Sequence, residues 1–154
     1  MARLQKLVPN LWFDSNAEEA VNYYTGIFND ASAGNKTYYG KAGKEIHKKE
    51  EGTVLTIEFV IEGQEFVALN AGNEFRFNES ISFIINCDTQ EEVDYYWDKL
   101  TPGGDPAAQV CGWLKDKYGL SWQIVPRGME KWMTDKDPER SKRVMQAVLQ
   151  MKKP

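Results

Sequence analysis

A chain of 154 residues, 42% hydrophobic and 27% charged with a formal net charge of −4, has the size and balance of one ordinary globular domain that buries its own core. The acidic balance excludes the basic footprint of a nucleic-acid binder, and no apolar run approaches the roughly 18 residues of a membrane-spanning helix. The first residues, Met-Ala-Arg-Leu-Gln-Lys, lack a signal-peptide core, and Cys87 and Cys111 stand far apart outside any CxxC spacing, so the expectation is a cytoplasmic protein with two buried free thiols.

Residues 7–13 form a short apolar run that predicts a buried strand, with Pro9 inside it arguing for an edge or a bulge. Ser15 and Glu18 stand in capping-box spacing ahead of Ala17, Ala20, Val21, Tyr24, Ile27 and Phe28, which share one helical stripe. Residues 31–51 are polar and weakly periodic, with Tyr38 and Tyr39 the only hint of a strand before a charged loop. Leu55, Ile57, Phe59 and Ile61 then alternate, and Glu62-Gly63 turns the chain into residues 65–70, which predicts a β-hairpin.

The same grammar begins again at Ser80. Ile81, Phe83, Ile85 and Cys87 alternate with Ser82, Ile84 and Asn86, and a second capping box, Thr89 and Glu92, opens a helix striped by Val93, Tyr96, Trp97 and Leu100. That helix stops at Thr101-Pro-Gly-Gly, and strands are expected over 109–115 and 120–125. Glu19-Ala-Val-Asn-Tyr-Tyr aligns with Glu91-Glu-Val-Asp-Tyr-Tyr at a constant offset and in matching context, the mark of an internal repeat. The expected fold is therefore α+β, with two βαβββ modules (about 5–72 and 80–126) in one domain spanning 1–127. Beyond it, residues 128–154 form a helical extension, with Asp137-Pro138 opening a helix striped by Val144, Val148 and Met151. Such a helix must cover either its own sheet or a partner subunit.

Three stretches carry a family resemblance: Leu11-Trp-Phe-Asp-Ser-Asn-Ala-Glu-Glu-Ala, Phe77-Asn-Glu-Ser-Ile-Ser-Phe and Cys111-Gly-Trp-Leu-Lys-Asp-Lys-Tyr-Gly-Leu-Ser-Trp-Gln-Ile-Val-Pro. Over roughly residues 5–127 the chain resembles the PhnB-like family, also labelled the demethylubiquinone methyltransferase domain family. That family sits within the vicinal oxygen chelate superfamily of glyoxalases, bleomycin-resistance proteins and extradiol dioxygenases. The resemblance implies paired modules curled into a cup, usually completed as a homodimer, with a divalent metal and an organic ligand inside. It also implies metal ligands, His, Gln or Glu, at four strand positions, which fall here near Pro9, Asn70, Ser80 and Gln123. Proline has no donor, and Asn and Ser are poor ligands for zinc, iron or nickel, so only Gln123 suits the task.

Other chemistry is thinly supplied. His47, the one histidine, sits in the charged loop 44–51 and is read as solvated. Cys111 has no histidine near it in sequence to act as its base, and it is read as a small core residue. A methyltransferase would need a glycine-rich turn after a parallel strand, whereas Gly103-Gly104 follows a helix. Trp12, Trp113 and Trp122 either line an aromatic pocket or fill the core. Asn70, Ser82, Asn86, Ser121 and Gln123 are polar residues in apolar strands that need partners, either main chain and water or a ligand in the cup.

The candidate ligand-binding set is thus Trp12, Asn70, Ser82, Asn86, Cys111, Trp113, Ser121 and Gln123. The leading expectation is a metal-independent, small-molecule-binding homodimer with no cofactor. A metal-dependent lyase, isomerase or dioxygenase is the alternative, and an interaction module without a ligand is a third.

Overall fold

The computed structural model describes residues 4–154, and the first three residues of the expected 1–127 domain lie outside them. By its internal contacts the chain divides into two compact units, Met1–Arg76 and Phe77–Pro154.

The first unit runs β1 (Asn10–Phe13), α1 (Ala17–Ile27), β2 (Ala31–Tyr38), a short α2 (Lys44–His47), β3 (Val54–Ile61) and β4 (Gln64–Asn70). Its sheet has the order β1-β4-β3-β2, with β1 parallel to β4 and the other pairs antiparallel. The first strand starts later than expected, with Pro9 ahead of it and the Pro9 carbonyl accepting from Val67 N–H. The hairpin forms as the sequence predicts: Glu62 and Gly63 both adopt positive φ (49° and 79°), the twist a two-residue loop requires. Ile57, Phe59 and Ile61 are buried, but a bulge at Leu55 shifts the phase so that Val54 takes the inward place. The weakly periodic 31–51 stretch supplies an edge strand, β2, which is exposed along nearly its whole length and so carries no alternation to read.

The α1 stripe of Ala17, Ala20, Val21, Tyr24 and Ile27 is buried as expected, packing on β3 and β4 with Tyr24 stacked on Phe59 at 6.3 Å between centroids and Phe59 on Phe66 at 5.2 Å. Its start differs from the sequence reading. Asn16 rather than Ser15 is the N-cap, and its side chain makes no capping hydrogen bond. The Ala17 N–H instead donates to Asn70 Oδ1 (2.9 Å) across the fold, while Asn70 Nδ2 donates to the Val54 carbonyl (3.1 Å) and the Tyr39 hydroxyl donates to the Asn70 carbonyl. One buried amide thereby fixes the start of α1, the start of β3 and the end of β4 together.

The second unit runs β5 (Ser82–Cys87), α3 (Gln90–Leu100), a 3-10 turn (Pro106–Ala108), β6 (Trp113–Lys115), β7 (Ser121–Pro126), α4 (Met129–Met133) and α5 (Pro138–Gln150). Its sheet has the order β5-β7-β6, and again the first strand is parallel to the last, with Ser82 beside Ser121 and Ile84 beside Gln123. The capping box holds: Thr89 Oγ1 accepts from Glu92 N–H (3.2 Å), and Glu92 Oε2 reaches back to Asp88 N–H (2.8 Å). The strand expected over 109–115 covers only 113–115, because Cys111 and Gly112 both have positive φ (55° and 84°) and bend Val110 back onto Trp113 as a tight turn. Among the described residues the two units form two mixed sheets and no closed barrel.

Asp137 caps α5 with Pro138 in its first turn, as expected. The tail beyond the helix makes the firmer contacts. The Met151 and Lys152 carbonyls accept from Cys111 and Gly112 N–H (2.8 Å each), Lys153 pairs with Asp94 at 2.8 Å, and Gln90 Nε2 donates to the Pro154 carbonyl. No helix among the described residues is long and apolar enough to cross a membrane.

The capping role of Asn70 predicts that Asn70→Ala costs about 2–3 kcal/mol in urea denaturation, since it leaves a helix N–H and a strand carbonyl buried without partners. Ser15→Ala should change stability by less than about 0.5 kcal/mol, because Ser15 is exposed and caps nothing.

Candidate functional site

Pleating divides each sheet into two faces. In the second unit α3 covers the face carrying Cys87, Leu114, Trp122 and Ile124, with Phe83 tilted against Trp122 at 5.6 Å. Trp122 is therefore core. The register places Ser82, Ile84, Asn86, Trp113, Lys115, Ser121 and Gln123 on the opposite face, with Ser121 between Ser82 on one side and Lys115 on the other, and Trp113 beside Gln123.

On this face Gln123 Nε2 donates to Ser82 Oγ (2.8 Å), so these two predicted residues satisfy each other. Ser121 is 1% exposed, and its hydroxyl has no hydrogen-bond partner among the described residues. Asn86 and Ile84 are exposed. Lys115, half-buried beside Ser121, pairs with Glu79 at 2.8 Å, and that hydrogen bond holds the exposed Glu79 carboxyl below its usual range. A cleft of about 410 Å³ opens here, bounded by Ala107, Val110, Cys111 and Trp113 and by Lys115, Glu79 and Ser121.

The turn that sets this register hangs on Asp116, which the sequence reading passed over. Asp116 is 2% exposed; its Oδ1 accepts from Tyr118 N–H (2.8 Å) and Leu120 N–H (3.1 Å), and its Oδ2 accepts from Trp122 Nε1 (2.9 Å). An Asp between two apolar segments with Gly119 three residues on is an Asx-turn pattern, and that signal was present in the sequence.

The other predicted residues do different work. Asn70 in the first unit commits both amide atoms to main chain. Trp12 is half-buried on the face away from α1, donates from Nε1 to the Gly72 carbonyl (2.8 Å) and meets Phe75 edge-on at 4.9 Å. Ser80 Oγ bonds Asn78 Oδ1. Cys111 is not the buried core thiol expected of it: it is half-exposed at the turn, lining the cleft, because only a surface turn accommodates its positive φ. Cys87 is buried, and desolvation, reinforced by Glu92 and Asp88, pushes its thiol up to about 11. His47 is partly exposed in its loop and also bonded within it. Its Nδ1 accepts from Lys49 N–H (2.9 Å), Nε2 lies 3.1 Å from the Ala42 carbonyl, and the ring packs on Tyr39 at 4.6 Å.

The donor set does not suit a divalent metal. Of the four superfamily ligand positions one is proline, Asn70 commits both amide atoms to main chain, Ser80 bonds Asn78, and Gln123 donates its Nε2 to Ser82; no group of three His, Cys, Asp or Glu among the described residues is placed to hold an ion.

Comparison with known proteins places these observations. A family model described as 3-demethylubiquinone-9 3-methyltransferase matches residues 5–125. The PhnB protein from Bacillus cereus is 34% identical over 79% of this chain and 99% of its own, with a TM-score of 0.66. A Pseudomonas aeruginosa protein (17% identity, 80% and 98% coverage, TM-score 0.61) and the fosfomycin resistance protein FosX from Listeria monocytogenes (16% identity, 85% and 98% coverage, TM-score 0.50) share the fold. No curated protein matches the chain.

The contrast between the two thiols is directly measurable. In native protein at pH 8, one thiol per chain should react promptly with a disulfide reagent and the second only on unfolding; Cys111→Ser should abolish the prompt phase.

Proposed function

This chain belongs to the 3-demethylubiquinone-9 3-methyltransferase family, a PhnB-like branch of the vicinal oxygen chelate superfamily, and we propose that it is a small-molecule-binding protein that works without a resident metal. The observation that carries this reading is the fate of the superfamily's ligand positions. Pro9 offers no donor, Asn70 is spent on capping α1 and anchoring β3, Ser80 bonds its own turn, and Gln123 bonds Ser82. Pulling the Asn70 amide onto an ion would strip a buried helix N–H and a strand carbonyl of their partner, and Gln123 alone cannot make a site. The open sheet face and its cleft remain for an organic ligand.

Methyl transfer is set aside on the same kind of ground. The Gly103-Gly104 pair follows α3, and its second glycine serves close packing, since a Cβ there would lie 2.0 Å from the Lys115 carbonyl. A glycine packed this way after a helix is not the open turn after a parallel strand that a nucleoside cofactor uses. A twofold homodimer is part of the proposal, supported by large apolar side chains left exposed on the second unit, Ile81 (67%), Ile84 (58%) and Val110 (50%). Two free cysteines fit a reducing compartment, the cytoplasm.

Thermal melting with nickel, zinc, iron and manganese added to chelator-treated protein tests the proposal, because an ion that binds only the folded state must raise the melting temperature by mass action. No metal should shift it, whereas members of an organic ligand library should; a saturable metal shift would count decisively against the reading. Sedimentation should give the mass of two chains.

A further inference from the structure

We propose that the cleft of the second unit takes a flat, largely apolar molecule bearing one oxyanion, whose anionic group displaces Glu79 from Lys115 and accepts a hydrogen bond from Ser121. This rests on the small-molecule-binding reading and names the chemical class that reading leaves open.

Four features converge. First, Ser121 is 1% exposed at the cleft wall, and its hydroxyl has no partner among the described residues. A buried hydroxyl without a partner is a standing cost that alanine would not carry, so the position makes physical sense when an occupant accepts its proton. Second, Lys115 stands directly across from Ser121 in the β6–β7 register, and its side chain is only 22% exposed. Its partner Glu79 comes from the exposed loop before β5 and is itself 69% exposed. Such a half-solvated ion pair is weak and exchanges readily for another oxyanion. In the ligand-free protein Glu79 thus occupies the place of the ligand's anionic group.

Third, the remaining walls, Ala107, Ala108, Val110 and Trp113, are small or flat and apolar, suited to an aromatic body. The volume of about 410 Å³ lies toward the low end for small-molecule sites, which limits the ligand to a few fused or linked rings. Fourth, the wall at Cys111 and Gly112 is preformed. The Met151 and Lys152 carbonyls hold both turn N–H groups, and the Gly112 backbone packs so closely that a Cβ there would lie 2.7 Å from the Ile124 carbonyl. A rigid wall lowers the ordering cost of binding.

Two dyes with the same ring skeleton separate the terms: 8-anilinonaphthalene-1-sulfonate, which carries an anion, and N-phenyl-1-naphthylamine, which does not. Fluorescence titration of the intact protein should show one saturable sulfonate site per chain, with the neutral dye about tenfold weaker or more. Lys115→Met should weaken the sulfonate by a similar factor. Ser121→Ala should weaken it while leaving the melting temperature unchanged or higher, which a structural serine would not do. Glu79→Gln, at an exposed position that leaves folding intact, should tighten binding several-fold by removing the competing carboxylate. Equal affinities for the two dyes, indifference to Lys115→Met and Ser121→Ala, or weaker binding in Glu79→Gln would each overturn the inference. Absence of any saturable dye site would overturn it too, and a library ligand that still stabilised the protein would show that the broader binding reading survives. A saturable metal shift, conversely, would strike that broader reading and not the cleft.

Discussion

Each unit closes its sheet by laying its first strand parallel to its last, and parallel neighbours cannot be joined by a tight turn. The chain must travel through a helix and further strands before it returns, and one helix covers only one face of the sheet. That face becomes core: Ala20, Val21 and Tyr24 against Ile57 and Phe59 in the first unit, Val93, Trp97 and Leu100 with Trp122 and Ile124 in the second. The opposite face keeps its polar residues, and on the proposed reading the ligand binds there. Single buried polar side chains hold the closures in place. Asn70 ties the end of β4 to the first turn of α1, and Asp116 ties the turn between β6 and β7, so the placement of Lys115 beside Ser121 is a consequence of Asp116.

What the sequence disclosed was whatever one periodicity could carry. The stripe from Ala17 to Ile27, the second stripe from Val93 to Leu100, the Glu62-Gly63 hairpin and the Asp137-Pro138 helix start were all readable, because spacing and local turn chemistry decide them. The edge strand β2 was nearly invisible, since a strand exposed on both faces has no alternation and is held by pairing with β3. The cap of α1 was misread for a related reason. Ser15 and Glu18 have the right spacing, but Asn70, over fifty residues away, supplies the acceptor, and no local pattern can announce a tertiary cap.

The same division runs through the candidate site. Ser82, Ser121, Gln123 and Trp113 were singled out as polar or aromatic residues within strands, and pairing does bring them onto one face. Lys115 and Glu79 were not, because a charged residue on a strand reads as solvent-facing until its neighbours are known. Cys111, read as a core residue, is instead a turn thiol at a cleft, and His47, read as solvated, is partly exposed with its ring bonded within its own loop. The place of Cys111 depends on a positive φ, which residue type alone does not disclose for a non-glycine position.

On the proposed reading the scaffold is kept and the positions of the superfamily's metal ligands are given to structural use. Anomalous diffraction at the metal edges, from crystals grown with manganese, nickel or zinc, addresses this at the atoms concerned. With the amides of Asn70 and Gln123 committed to Ala17, Val54 and Ser82, the maps should show no anomalous peak within coordination distance of either side chain. A full-occupancy peak there, with those amides turned onto the ion, would contradict it.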